Sequence, residues 1–347
     1  MHIGGHLIGD GAPCFVIAEA GVNHNGDVEL ARRLVVAAAD AGADAVKFQT
    51  FRAEALATAD APKADYQAVR TSSSESQREM LRRLELSAEA HVELSRHARA
   101  RGIIFSSTPF DLESADLLAE LDVPFFKVSS GDLTYIPLLR HLAAKGRPIV
   151  LSTGMADFAE VGLALRTMRE AGAADVALLQ CVTAYPAPSA EVNLRAMAAL
   201  GSRFGVPVGY SDHTRGREVA IAAVALGAAI IEKHLTLDRD LPGPDHEASL
   251  EPGEFRELVR EVRSVEAALG NGDKHAMPSE LSNKAVAARR SVVAAVDIAA
   301  GARVGPEMLD CQRPGDGIPA AEFDSVVGRR ATRAFRAGEK IVRDGLA

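Results

Sequence analysis

A short apolar run followed by a polar turn and a helix-like stretch recurs eight times in the first 270 residues of this 347-residue chain. The runs are CFVIA (14–18), AVKFQ (45–49), IIFS (103–106), PFFKV (124–128), PIVLS (148–152), VALLQ (176–180), VPVGY (206–210) and AIIEK (229–233). Such alternation predicts βαβ units and a parallel sheet, and eight units predict a (β/α)8 TIM barrel. The rival, a doubly wound open sheet, usually has fewer strands, and its dinucleotide-binding form carries a GxGxxG motif that is missing here.

The chain changes character after residue 270. Residues 271–284 are polar and contain Gly and Pro, which predicts a linker. Residues 285–347 then alternate short apolar and polar runs, which is typical of a small, mostly-β domain. This domain holds 10 Lys/Arg and 8 Asp/Glu, a charge of +2, so the rest of the chain must carry −10 to give the total of −8. We therefore predict a barrel with an N-terminal extension over 1–270, followed by a separate domain.

Local capping signals mark where helices begin within the predicted barrel. Asp27 and Ser87 stand directly before amphipathic stretches and are predicted to begin helices. Ser74 lies three residues before Gln77, at the spacing of a capping box. The polar, Ser-rich residues 50–74 predict an extended loop above the second strand.

Composition and charge exclude several classes of protein. The chain carries 39 Lys and Arg against 47 Asp and Glu, whereas nucleic-acid-binding proteins usually have a basic excess. Its three cysteines are far apart, with no CxxC pair, which is typical of neither a disulfide framework nor a zinc knuckle. The longest apolar run, 219–231, is shorter than the roughly 20 residues of a membrane span, and the N-terminus lacks the pattern of a signal peptide. We predict a cytoplasmic protein that binds neither nucleic acid nor a membrane.

Polar side chains gather where the predicted strands end. Since active-site residues of such barrels lie at the carboxyl ends of the strands, these side chains are expected to converge on one pocket. In strand order they are Glu19; Lys47 and Gln49; Ser106, Ser107 and Thr108; Lys127, Ser129 and Ser130; Ser152 and Thr153; Cys181, Thr183 and Tyr185; Ser211, Asp212 and His213; Glu232 and His234. Polar groups inside an apolar strand cost free energy unless they are paired, so this agreement across strands favours a functional site.

The residue types predict an anion site beside a metal site. Two lysines and several hydroxyls at glycine-containing turns suit a phosphate or a carboxylate. The imidazoles of His213 and His234, together with oxygen ligands, suit Mn²⁺, Zn²⁺ or Co²⁺ better than Ca²⁺, and such an ion polarises a carbonyl group. Glu19 is a candidate base or water-orienting group.

Each of these residues taken alone also has a structural explanation. Either lysine can pair with a core carboxylate, and a single histidine is more often a satisfied structural side chain. The Asn23-His24-Asn25 segment follows the first strand, and the sequence leaves open whether it is more than a turn. Cys181 has no adjacent base, which favours a small buried side chain over a nucleophile.

Ten motifs that occur in order over nearly the whole chain resemble the N-acetylneuraminate (sialic acid) synthase family. They are IAEAGVNHNGD (17–27), DAVKFQTF (44–51), FSSTPFD (105–111), FKVSSGD (126–132), LSTGMA (151–156), YPAP (185–188), VGYSDHT (208–214), EKHLTLDR (232–239), GPDHEASLEP (243–252) and ARRSVVA (288–294). The resemblance implies a (β/α)8 barrel followed by a small antifreeze-like (SAF) domain. It also implies condensation of phosphoenolpyruvate with an N-acylmannosamine-type sugar to a nine-carbon 2-keto acid and phosphate.

The same resemblance implies a role for each motif residue. Glu19 would position or activate the water that attacks C2 of phosphoenolpyruvate, and His213 and His234 would bind Mn²⁺, with Mg²⁺ or Co²⁺ as alternatives. The phosphate and carboxylate of phosphoenolpyruvate would be held by Lys47, Thr108, Lys127, Ser130, Ser152, Thr183 and Ser211. The sugar would be contacted by Gln49, Tyr185 and Asp245. In a domain-swapped homodimer, Arg313 would reach the N-acyl group of the sugar in the partner's barrel.

Some features bear on which reaction the site supports. The segment CVTAYPAP (181–188) departs from the family's commoner CTS or CTT pattern, which affects the expected Thr183 contact. GPDHEASLEP resembles the sialic or legionaminic acid branch, whose acceptors are N-acetylmannosamine or 2,4-diacetamido-2,4,6-trideoxymannose, more than the pseudaminic acid branch. Alternatives from other classes are a metal-independent Schiff-base pyruvate aldolase using Lys47 or Lys127, and a non-catalytic sugar-phosphate binder.

Overall fold

All eight predicted strands form one parallel sheet in the computed structural model of the protein, which describes residues 1–9, 11–64, 67–68 and 75–347. After a short hairpin of β1 (His2–Ile3) and β2 (His6–Leu7), these strands are β3 (Phe15–Gly21), β4 (Ala45–Thr50), β5 (Ile104–Pro109), β6 (Phe126–Val128), β7 (Ile149–Ser152), β8 (Val176–Cys181), β9 (Val208–Asp212) and β10 (Ile230–His234). Their order in the sheet is β5-β4-β3-β10-β9-β8-β7-β6. The Ser106 hydroxyl donates to the Phe125 carbonyl (3.4 Å), so the two edge strands meet and the sheet forms a nearly closed barrel. The predicted TIM barrel is confirmed.

Helices connect consecutive strands and cover the outside of the barrel. They are α1 (Val28–Asp40), α2 (Ala53–Leu56), α3 (Gln77–Leu84), α4 (Ala88–Ala100), α5 (Leu112–Glu120), α6 (Ile136–Ala143), α7 (Phe158–Glu170), α8 (Arg195–Phe204), α9 (Glu218–Ala225) and α10 (Pro252–Leu269). The predicted caps Asp27 and Ser87 are confirmed, because the side chain of each accepts hydrogen bonds from backbone amides in the first turn. In the described part of the chain, no helix is long and apolar enough to cross a membrane.

Two details of the segment after β4 differ from the prediction. The capping box of α3 joins Ser76 to Glu79, because Gln77 is the first residue of the helix and its cap must directly precede it. Ser74, the predicted cap, lies outside the described residues. The predicted extended loop also contains α2, whose Ala53 amide donates to the Glu85 carboxylate at 2.9 Å.

The inner face of the barrel changes from apolar to polar along each strand. On β3 the same face carries Phe15 and Ile17 at the amino end, which belong to a buried apolar cluster, and then the carboxylate Glu19. Because side chains alternate along a strand, residues two apart share a face. The apolar half fills the bottom of the barrel, and Ile3 and Ile8 of the N-terminal segment join it. The polar half is thereby left for the carboxyl ends of the strands.

The chain divides into two units, Met1–Gly270 and Asn271–Ala347. The second unit contains an antiparallel pair, β11 (Ser291–Ala294) and β12 (Leu309–Gln312), and short helices at Pro278–Ser282 and Phe323–Val326. It has its own core, which includes the buried side chains Val292, Ile298, Val304, Phe335 and Ile341. The segment expected as a linker is therefore partly helical. Pro278 opens its helix, and the Glu280 carboxylate caps it by accepting a hydrogen bond from the Met277 amide at 2.8 Å.

Candidate active site

The carboxyl ends of the strands surround a cavity of about 340 Å³. Thirteen of the fourteen residues predicted for the site line it: Glu19, Lys47, Gln49, Thr108, Lys127, Ser130, Ser152, Thr183, Tyr185, Ser211, His213, His234 and Asp245. The strand register explains this convergence, since Glu19 on β3 lies beside Lys47 on one neighbouring strand and His234 on the other. The fourteenth residue, Arg313, belongs to the second unit, where its side chain is exposed.

Lys47 is the centre of a buried network of polar side chains. Its ammonium nitrogen lies 2.6 Å from Glu19 Oε2 and 3.7 Å from Glu232 Oε2, and it donates to the Thr108 hydroxyl at 2.9 Å. Gln49 Nε2 donates to the second oxygen of Glu19 at 3.4 Å. All three charged side chains are at most 5% exposed, so their positions are restricted by burial as well as by pairing.

Lys127 forms the second cationic position of the cavity. Its Nζ donates to Ser152 Oγ at 2.7 Å and lies 3.5 Å from Glu232 Oε1. The nearby Ser130 hydroxyl accepts a hydrogen bond from the Gly154 amide at 2.9 Å. A side chain at position 154 would overlap Ser130, Cys181 and Thr183, so glycine is required for this close approach. The result is a compact set of hydroxyl and ammonium donors suited to an anion.

The two carboxylates of this cluster have opposite protonation tendencies. Burial raises the pKa of Glu19, and the nearby Glu232 charge adds to the effect. Burial alone would also raise the pKa of Glu232, but the ammonium groups of Lys127 and Lys47 lower it, and Ser211 Oγ donates to its Oε1 at 2.9 Å. The pKa shifts of the two carboxyl groups thus run in opposite directions, with Glu232 the more readily ionised of the pair.

Burial also lowers the pKa of Lys127, whereas at Lys47 it is outweighed by Glu19 and Glu232, which raise the pKa of that ammonium group. The two lysines thus differ in how firmly they hold a proton. Cys181 is buried, and burial raises the pKa of its thiol, so the prediction of a small buried side chain is confirmed.

His213 and His234 face each other at the rim of the cavity, with ring centroids 5.5 Å apart. The Nδ1–H of His213 donates to the Val182 carbonyl at 2.7 Å, so its Nε2 carries the lone pair, with Ser211 Oγ at 3.5 Å. Burial lowers the pKa of His213 to about 4 and that of His234 well below its usual value. The Nδ1 of His234 is buried without a hydrogen-bond partner. Neutral imidazoles with available lone pairs fit a divalent cation, although no cluster of three or more such ligands occurs within the described residues.

Two further features complete the wall of the cavity. Tyr185 stacks on His213 with ring centroids 4.1 Å apart. The Asp245 carboxylate, whose pKa burial raises to about 6, lies 4.0 Å from His234 Nδ1. A polar ligand in this part of the cavity would meet both an aromatic ring and a carboxyl group.

An apolar patch also lines the cavity. It consists of Val22, Leu56, Met80, Leu81, Leu84 and Phe110, and it comes mainly from α2 and α3. Met80, Leu81 and Leu84 lie in the helix predicted to begin near Gln77, but the sequence did not predict that their side chains line the cavity. The predicted extended loop missed the short helix that carries Leu56. The sequence places Glu232 at a strand end. Its contact with both lysines could not be predicted, because that contact depends on the closure of the barrel.

Comparison with known families gives two matches that together span most of the chain. A model described as the NeuB family matches residues 34–274, and a model described as the SAF domain matches residues 289–347. The first match ends just beyond the boundary between the two units, at Gly270 and Asn271, and the second lies within the second unit.

Individual relatives are similar over almost their full length. The N,N'-diacetyllegionaminic acid synthase of Campylobacter jejuni is 48% identical over 94% of this chain and 98% of its own. The Legionella pneumophila protein of the same name is 46% identical over 96% of this chain and 95% of its own. The crystal structure of N-acetylneuraminic acid synthetase from Leptospira borgpetersenii, in complex with citrate, superposes with a TM-score of 0.72 at 35% identity, covering 82% of this chain and 94% of that one.

Proposed function

The chain belongs to the NeuB family, and on that premise we propose that it condenses phosphoenolpyruvate with an N-acylated amino sugar to give a nine-carbon 2-keto sugar acid and phosphate. The observation that carries this proposal is the pair of buried lysines, Lys47 and Lys127, set among hydroxyl groups at the strand ends. Phosphoenolpyruvate carries close to three negative charges, so a site with two ammonium groups and several hydroxyl donors suits it. The names of the two synthases described above support the same reaction class.

We assign the donor to the inner end of the cavity. Lys47 and Thr108 lie on one side and Lys127, Ser130 and Ser152 on the other, and the two sides suit the two anionic groups of phosphoenolpyruvate. Ser211 supports this end through Glu232. Thr183 lines the cavity mouth and is exposed, so its contact with the donor depends on how far the ligand extends.

The proposed chemistry cleaves the C–O bond of the donor. C3 of phosphoenolpyruvate forms a bond with the aldehyde carbon of the open-chain sugar, and the aldehyde oxygen takes up a proton. Water positioned by Glu19 adds to C2 and loses a proton, and the resulting tetrahedral carbon expels phosphate to leave the 2-keto group. Glu19 suits this role because its raised pKa lets it accept a proton near neutral pH.

His213 and His234 are the residues that would hold a divalent cation, for which we propose Mn²⁺, with Mg²⁺ or Co²⁺ as alternatives. When bound, such an ion supplies Lewis-acid polarisation of the acceptor aldehyde. The protein's own contribution is to keep both imidazoles neutral by burial and to fix the His213 ring through the Val182 carbonyl.

We place the acceptor sugar between Gln49, Tyr185 and Asp245 on one side and the apolar patch on the other. A patch containing Met80 and Leu81 favours methyl groups over hydroxyl groups, because a buried hydroxyl without a partner costs free energy. This favours 2,4-diacetamido-2,4,6-trideoxymannose, which has a 6-methyl group and two acetyl methyls, over N-acetylmannosamine. We also propose a domain-swapped homodimer in which Arg313 of one chain serves the barrel of the other.

An assay matrix tests the proposal directly. The protein is incubated with phosphoenolpyruvate, Mn²⁺ and one acceptor at a time: the trideoxy diacetamido sugar, its pseudaminic-type isomer, N-acetylmannosamine, and the 6-phosphate of N-acetylmannosamine. Release of phosphate and formation of a 2-keto acid are measured, and the trideoxy diacetamido sugar is expected to give the highest kcat/KM. No product with any acceptor would refute the proposal.

A Schiff-base aldolase is the second candidate, because burial lowers the pKa of Lys127 and a neutral amine is the required nucleophile. The Glu232 carboxylate, 3.5 Å from Lys127 Nζ, nevertheless opposes this effect and favours the ammonium form. Borohydride reduction with pyruvate separates the two reactions. A trapped adduct that forms equally well with a chelator present would favour the aldolase.

A further inference from the structure

The turn after β3 is bonded to the distant loop that follows β10. The side chain of Asn23 is buried, and its Nδ2 donates to the Leu235 carbonyl at 2.9 Å and to Ser249 Oγ at 2.8 Å. Asn25 extends the contact, since its Oδ1 lies 3.2 Å from His246 Nε2. More than 200 residues of sequence separate these partners, so the contact joins the loops that follow β3 and β10, two strands that are paired in the sheet.

A second hydrogen bond connects Ser249 to the main chain at Asp245. The Nδ2 group of Asn23 can only donate, so the Ser249 oxygen must accept from it, and the single hydroxyl proton is free to point elsewhere. It donates to the carbonyl of Asp245 at 2.7 Å. The direction of this hydroxyl is thereby determined by Asn23, and the position of the Asp245 backbone is determined by Ser249.

The loop that follows β10 also packs closely against Asn25 of the turn after β3. A side chain at Gly243 would collide with Asn25 Oδ1 at 2.8 Å and with the His246 ring at 2.7 Å. The His246 Nδ1 lies 2.7 Å from Thr236 Oγ1, which ties the start and end of the loop together. Asp245 is therefore carried on a segment with little freedom, although it belongs to no long helix or strand.

We propose that Asn23 and Ser249 are positioning residues for the acceptor sugar, which act by holding Asp245 at the wall of the cavity. The proposal rests on the proposed function, in which Asp245 contacts the sugar, and it gives the Asn23-His24-Asn25 segment a role beyond forming a turn. The Asp245 carboxylate lies 4.0 Å from His234 Nδ1, so a small shift of this loop changes the acceptor end of the cavity. Lys127 and Ser152, at the donor end of the cavity, lie on β6 and β7. The hydrogen bonds of Asn23 and Ser249 do not connect these two residues to the loop.

The first test measures backbone hydrogen exchange in the ligand-free protein. Ser249→Ala removes the hydroxyl and should accelerate exchange of peptides covering residues 236–250 about tenfold, because one buried hydrogen bond is lost. Ser249→Thr keeps the hydroxyl and should restore the wild-type rate to within about threefold. Ser114→Ala, which removes an equally buried hydroxyl bonded to Asp111, is the matched control and should leave residues 236–250 unchanged.

The second test separates the two substrates. With the acceptor that the wild-type protein turns over, Ser249→Ala should raise the acceptor KM about tenfold and change the KM for phosphoenolpyruvate by less than about twofold. In an Asp245→Ala background, the same substitution should add less than about twofold, because both changes act through one residue. A merely structural role would move both KM values together.

Three results would overturn the proposal: unchanged exchange in Ser249→Ala, equal changes in the two KM values, or fully additive effects in the double variant. Failure of the proposed function is distinguishable from these. If the wild-type protein turns over no acceptor, the assignment of the reaction fails, whereas the exchange measurement still decides whether Ser249 holds the Asp245 loop.

Discussion

At the scale of single residues, the site depends on two carboxylates that share one lysine. Glu19 and Glu232 lie 2.6 and 3.7 Å from Lys47 Nζ. Burial raises the pKa of Glu19, whereas two nearby ammonium groups lower that of Glu232 against the effect of burial. The same side-chain type therefore has two different proton affinities, and the local charge distribution sets them.

Substitution of Glu19 by Gln tests its task. The amide keeps the shape and its oxygen can still accept a hydrogen bond from Lys47, but it cannot accept a proton, so kcat should fall about 10²- to 10⁴-fold. Binding of phosphoenolpyruvate, measured by calorimetry because the chain has no Trp, should change by less than about threefold. Glu113→Gln, at an exposed carboxylate paired with Arg52, is the control. Full activity of Glu19→Gln would contradict the role in positioning water.

The pH dependence follows from the same assignment. Because Glu19 must be ionised to accept a proton and its pKa is raised, activity of the wild-type protein should be lost as the pH falls through that raised pKa and regained above it. The residual activity of Glu19→Gln should lack this acidic limb.

At the scale of secondary-structure elements, the barrel depends on how closely β9 approaches its neighbours. Gly209 is the second residue of β9, and a Cβ atom there would overlap the Ile230 carbonyl oxygen and come within 2.8 Å of Leu179 Cδ2. Both neighbours belong to adjacent strands of the barrel, β10 and β8, so neither can withdraw freely. Since β9 and the residues after it carry Ser211 and His213, any displacement reaches the site.

Gly209→Ala should therefore destabilise the protein by about 3 kcal/mol or more, because a rigid core does not accept an added methyl group. Gly253→Ala is the matched control: it lies in the first turn of α10 with no atom within 4 Å of the added Cβ, and it should be neutral or stabilise by up to about 1 kcal/mol. Denaturant unfolding measures both. Equal stability of the two variants would show that β9 is less tightly packed than the structure indicates.

At the scale of the whole molecule, the proposed domain swap makes a prediction about mixed dimers. If each barrel uses Arg313 of its partner, a protomer carrying Arg313→Ala still has an intact barrel, and a protomer carrying Glu19→Gln still has an intact Arg313. Unfolding, mixing and refolding the two variants together should regain about a quarter of the wild-type sites, since half of randomly formed dimers are mixed and each holds one complete site. Phosphate release at low acceptor concentration measures this recovery.

The control for this experiment is the same mixture made without unfolding, in which exchange of subunits is not promoted. Activity no greater than the sum of the separate variants after refolding would show that Arg313 serves its own chain or neither barrel.

The sequence by itself determined the architecture and most of the candidate site. Eight apolar runs separated by helical stretches specify parallel strands, and a period of two places Lys47 with Gln49 and Glu232 with His234 on common faces. Motif positions then identify side chains at strand ends, because the carboxyl ends of parallel strands all lie on one side of the barrel. These inferences hold because they depend on local periodicity and chain order.

Tertiary structure alone decided what those side chains do to one another. The contact of Glu232 with two lysines, the apolar patch from α2 and α3, and the bonds from Asn23 to the Asp245 loop all join parts of the chain that are distant in sequence. The pKa values differ for the same reason, since burial and neighbouring charges act over a few ångströms of space and not along the chain. The local sequence pattern therefore specifies which side chains line the cavity. Their tertiary packing specifies their charge, their contacts and how freely they move.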